Sequence, residues 1–169
     1  MQAPTTHAAR RATSLLMQYQ EAGPSGLMRA RTILELNCLD LVADRIEDPQ
    51  VSARLRAHLA SEADPTAENT ASFHRELAEL SGSPVLSLFT QILLEIHGES
   101  CHGEPEDPET SLLEPRASYT AHRDIYEALV AGDRELARKM LSSHLDDLGD
   151  ATIAATTPGV EALDEDLPA

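Results

Sequence analysis

Apolar residues return every three or four positions along most of this chain, and Gly/Pro clusters cut the pattern into segments. "TTHAARRATSLLMQYQEAG" reads as a first helix, with Ala9, Ala12, Leu15, Leu16 and Tyr19 at helical spacing and "GPSG" as its stop. "LMRARTILELNCLDLVADRI" carries the longest pattern; Ile33, Leu34, Cys38, Leu41 and Val42 form its expected inner stripe, and "EDP" closes it. "PQVSARLRAHLASEA" predicts a third helix, and "AENTASFHRELAELSG" a fourth with Phe73, Leu77 and Leu80 along one side. "VLSLFTQILLEIHG" is apolar nearly all round, which predicts a buried central helix. "ESCHGEPEDPETSLLEP" is acidic, holds three prolines and reads as a long loop. Ser118 to Ala131 predicts another helix, "AGD" a turn with Asp133 as N-cap, and Glu135 to about Asp150 a last helix. No strand-like alternation occurs. The expected fold is all-α, an antiparallel bundle of six to seven helices over residues 3–150. Residues 151–169 form an acidic tail expected to be poorly ordered.

Composition narrows the picture. With aromatics at 3% and no Trp, a core must be built from Leu, Ile, Val, Ala and Met, which suits packed helices. The net charge of -16 repels phosphate backbones, so this chain by itself is a poor nucleic-acid binder. Its two cysteines, Cys38 and Cys101, belong to no CxxC and make no disulfide framework; reduced thiols are expected. No stretch approaches the roughly 18 apolar residues of a membrane span. "MQAPTTHAARR" lacks an apolar signal core. The expected location is the cytoplasm, without membrane contact.

Three of the seven histidines stand apart. His122 shares a stripe with Ile125, Tyr126 and Leu129. His144 follows Met140 and Leu141 and precedes Leu148. His74 shares its face with Leu77 and Ala78. A lone histidine on an apolar face is usually a satisfied core residue. Three on three helices are better explained by a shared partner, because each buried polar ring without one costs on the order of 1–3 kcal/mol. A divalent metal held by neutral imidazoles is the simplest such partner. His97 closes the fifth helix, where a cationic ring suits the helix dipole. "CHGE" at Cys101–Glu104 is a much weaker metal pattern.

At these residues the chain resembles a known family. "SFHRELAELSGSPVL" resembles a signature of the FCD domain, the ligand-binding C-terminal domain of FadR-type GntR transcription regulators. "AHRDIYEALVAGDRELARKMLSSHL" is similar to that family's closing motif, and "LMRARTILELNCLDLVADRI" to its opening helix. The resemblance runs from Ala3 to Asp150. It implies a dimerising helical bundle with a small-molecule pocket, often for an organic acid, and in many members a divalent metal at its floor; zinc is expected first, with nickel or manganese, or no metal, as alternatives. The family's metal ligands are an Asp and three His. The three His fall on His74, His122 and His144, whereas the Asp position is Thr70, a poor ligand. The family's opening-helix Arg falls on Arg31, which the resemblance makes a partner for an effector carboxylate; an ion pair with Glu35 is the competing role. No winged helix-turn-helix precedes Ala3 in this sequence, so DNA is expected to be contacted only through an attached domain. No catalytic residue is assigned. Two other readings stay open: a three-His metalloenzyme, and a metal-free helical interaction domain.

Overall fold

A computed structural model describes residues 6–63, 71–100 and 108–156. It places seven helices in order: α1 (Thr6–Tyr19), α2 (Pro24–Ala43), α3 (Pro49–Glu62), α4 (Ala71–Leu80), α5 (Pro84–Ser100), α6 (Pro108–Val130) and α7 (Arg134–Thr156). No strand occurs among the described residues, so the fold is an all-α helical bundle.

Local chemistry sets several of the helix ends. Pro24 and Pro49 occupy first-turn positions of α2 and α3, where a missing N–H costs nothing. Asp48 caps α3 by accepting from the Gln50 N–H at 2.8 Å. Between α6 and α7, Gly132 takes φ 75°. There the Asp133 N–H bonds the Ala128 carbonyl and the Gly132 N–H bonds the Leu129 carbonyl, both at 3.0 Å. That is a Schellman stop, and the next residue, Asp133, caps α7 by accepting from the Leu136 N–H at 3.0 Å, as its sequence position predicts. The tight turn folds α7 back along α6. His122 and His144 lie at similar distances on either side of it and so come level.

The main core unites Leu39 and Val42 of α2, Val51, Leu55 and Leu59 of α3, Phe73 and Leu77 of α4, Ile125 and Leu129 of α6, and Leu141 and Leu145 of α7. Each such side chain removed from water contributes ~1.5–3 kcal/mol before the entropy of ordering is counted. A smaller cluster, Leu27, Ile92 and Ile96, lies under Met17 and Leu93.

The structure corrects three sequence expectations. α5, expected to be buried nearly all round, touches α1, α2 and α4, no more helices than α2, which touches α4, α5 and α7. α5 buries Thr90, Ile92, Leu94 and Ile96 and packs Leu86 against the main core, but leaves Val85, Leu88 and Phe89 exposed on a face that no described helix covers. The inner face of α2 is Leu27, Met28, Arg31, Glu35, Cys38, Leu39 and Val42; Ile33 and Leu41 of the expected stripe face outward. α1 turns Thr6, Arg10 and Met17 toward its neighbours, and leaves Leu15, Leu16 and Tyr19 exposed. Thr6 donates to Glu95 at 2.9 Å and Arg10 pairs with the same carboxylate, so polar contacts set the roll of α1.

Two element bounds also differ. α5 continues to Ser100 and α6 begins at Pro108, so helix takes up both ends of the stretch read as a loop; its residues 101–107 lie outside the described residues. α7 continues past Asp150 to Thr156. Residues 157–169, the rest of the predicted tail, lie outside the described residues.

Candidate metal centre

α4, α6 and α7 each send one histidine to a common point beside the main core. His74, His122 and His144 are all buried. Their Nε2 atoms form a nearly equilateral triangle with edges of 3.1 Å (His122–His144), 3.3 Å (His122–His74) and 3.4 Å (His144–His74). The rings of His74 and His144 lie almost parallel at 5.3 Å, and His122 stands edge-on to both. Phe73 stacks on His122 at 4.2 Å between centroids, 12° from parallel, and fixes the ring's plane.

Two carboxylates hold the other sides of these rings. Glu35 on α2 lies 2.5 Å from Nδ1 of His74. Glu62 at the end of α3 lies 2.8 Å from Nδ1 of His122. A carboxylate at Nδ1 selects the tautomer that carries its proton there, which leaves the Nε2 lone pair bare. Two bare lone pairs at 3.3 Å cannot hydrogen-bond each other. A shared electrophile satisfies both. The edges match what a divalent cation needs: bonds of ~2.0–2.1 Å to imidazole nitrogen separate adjacent ligand atoms by about 3.0 Å in octahedral and about 3.4 Å in tetrahedral geometry. The donor set therefore fits a metal such as zinc.

The electrostatics point the same way. Burial, opposed by the Glu62 hydrogen bond and reinforced by the nearness of His74, brings His122 down to about 4. Burial, with His74 and His122 beside it, brings His144 down to about 3. Both rings are thus neutral, as ligands must be. Burial by itself would raise the Glu35 carboxyl; His74 and Arg31 outweigh it and hold Glu35 at about 2.

Arg31 is 1% exposed, and its Nε donates to Glu35 at 2.9 Å. The i, i+4 ion pair is present, and it stands directly behind His74. Thr70 lies outside the described residues, as do Cys101, His102 and Glu104. His97 is half-buried, and burial, then Arg31 and His74, bring it down to about 4; it is neutral there, not the cation that the helix end predicts.

Glu62 escaped the sequence reading, and Glu35 entered it only as an ion-pair partner of Arg31, not as a partner of His74. Both carried a signal. Glu35 falls on one helical stripe with Arg31, Cys38 and Val42, and Glu62 continues the stripe of Val51, Leu55 and Leu59. An acid on an otherwise inward stripe needs a buried partner.

The FCD domain family model matches residues 26–147, a span that contains Arg31, Glu35, Glu62 and all three histidines and begins after α1. No curated protein and no solved structure matches the chain significantly.

Proposed function

The chain belongs to the FCD domain family, a family of regulatory domains, and from that premise we propose that it is the ligand-sensing and dimerising domain of a GntR-family transcriptional regulator. In this reading it binds a small organic acid over a divalent metal, zinc foremost. The observation that carries it is the convergence of three Nε2 atoms, two of them on rings whose Nδ1 nitrogens are held by carboxylates.

His74, His122 and His144 would hold the metal. When bound, it would supply a Lewis-acidic point for an effector carboxylate. Arg31 is the proposed second partner of that carboxylate, its guanidinium held beside the site by Glu35. Binding of the effector would favour one packing of α2 against α4 and α7 over another, and so move attached DNA-binding domains. The exposed Leu15, Leu16 and Tyr19 of α1, with Val85, Leu88 and Phe89 of α5, support self-association.

The enzyme alternative is weakened by where the carboxylates sit. Glu35 and Glu62 hold Nδ1 atoms, on the far side of the rings from the Nε2 triangle, so neither is a base for water at that triangle. Among the described residues no helix is long and apolar enough to cross a membrane.

The test is metal analysis of protein purified without chelators or affinity resins, followed by a thermal-shift screen of small organic acids. Near-stoichiometric metal, and an acid that raises the melting temperature only in metal-loaded protein, is the expected result. Metal-free protein that no acid stabilises, even after zinc is added, would contradict the reading.

A further inference from the structure

Glu62 touches the histidine site at two places. One oxygen lies 2.8 Å from Nδ1 of His122 on α6. The other accepts the backbone N–H of Phe73 at 3.1 Å, one residue before His74 on α4. It also pairs with His58 one turn earlier on α3, at 3.5 Å. Phe73 in turn stacks on His122. A single carboxylate at the end of α3 therefore ties the backbone next to one candidate ligand to the ring of a second.

Glu35 stands differently. It holds Nδ1 of His74, but its charge is shared with the buried Arg31 guanidinium. A carboxylate hydrogen-bonded to a ligating imidazole orients the ring and makes it a better donor, and a negative charge close behind the ligands favours a bound cation. Such a charge matters more at a site whose expected anionic ligand position is occupied by Thr70.

We propose that Glu62 is the principal positioning residue of this site: it fixes the Nδ1–H tautomer of His122 and supplies, from behind the ligands, negative charge that favours a bound divalent cation, with Glu35 doing the same more weakly for His74. The inference rests on the metal-binding reading above.

The experiment titrates the wild-type chain, Glu62→Gln and Glu35→Gln with Co²⁺ against a competing chelator, following the visible absorption of the bound ion. The glutamine removes the charge and keeps one acceptor oxygen, enough for His122 or Phe73 but not both. Glu62→Gln is expected to bind cobalt about 10–100-fold more weakly, with a changed absorption band, and Glu35→Gln to lose less. Affinities of wild type and Glu62→Gln within twofold of each other overturn the proposal and leave the metal reading standing. A wild-type chain that binds no cobalt overturns both. Should Glu62→Gln fail to fold, nitrogen NMR of the metal-free wild type decides: His122 protonated at Nδ1 supports the proposal, and His122 protonated at Nε2 overturns it.

Discussion

His122 and His144 are kept neutral chiefly by burial, and this has a consequence for stability in the metal-free protein. Their folded values, about 4 and about 3, lie below the ordinary 6.5, so between those limits the unfolded chain binds more protons than the folded one. Stability is fully present above pH 6.5 and is lost as the pH falls from there toward 4, by on the order of 1 kcal/mol per pH unit for each ring. Glu35 extends the loss from its ordinary 4.5 down toward 2. Urea unfolding of chelator-treated protein at pH 7.5, 6 and 5 measures this; a flat profile would mean that the rings are not neutral in the fold. The three histidines were legible from period alone because each sits among Leu, Ile, Met and Ala at helical spacing. Glu62 was not, and Glu35 was legible only as a partner of Arg31, because period counts apolar residues and an acid's contact with a distant histidine is visible only once the helices are packed. Thr70 yields its own prediction. Thr70→Asp would add an anionic ligand where the family has one, and zinc affinity should rise; an unchanged affinity would mean that this position does not face the site.

At the level of elements, breaks and caps were read well, while the faces of individual helices were less so. Asp133 caps α7, and the "AGD" turn is where the sequence places it. The roll of α1 and of α2 was misread for one reason: in both, polar contacts outweigh the apolar stripe. Arg31–Glu35–His74 turns the inner face of α2, and Glu95 draws in the polar side of α1. The glycine turns give a paired prediction. Gly132 has φ 75° and open space around a would-be Cβ, so Gly132→Ala pays only for the left-handed backbone, about 1–2 kcal/mol. Gly82 has φ 72°, and a Cβ there would meet the Arg45 guanidinium at 2.5 Å, the group that donates to the Leu80 carbonyl and closes α4. Gly82→Ala should therefore lower the unfolding midpoint more than Gly132→Ala. Equal losses would show that the Arg45 contact contributes nothing.

Across the whole molecule, a chain carrying -16 still leaves large apolar side chains exposed on α1 and α5. If that surface is where two copies meet, sedimentation should report a dimer, and Phe89→Lys together with Val85→Lys should shift it to monomer without lowering metal affinity. A wild type that sediments as a monomer at high concentration would remove self-association from the account. Overall architecture was open to sequence reasoning because helical period and breakers are local. The centre's outer carboxylates and the exposed half of α5 depend on which helices become neighbours, which no local pattern contains. The central claim is that His74, His122 and His144 together hold a divalent metal. Its most direct measurement is the melting temperature of wild type and His122→Ala, each stripped with chelator and then given zinc. At free zinc ~100-fold above the dissociation constant, binding should add about 2.7 kcal/mol, which for a domain of this size is a rise of roughly 5–10 °C. The account predicts that rise in wild type and its loss in His122→Ala; zinc that leaves the wild-type melting temperature unchanged, or raises both proteins equally, would contradict it.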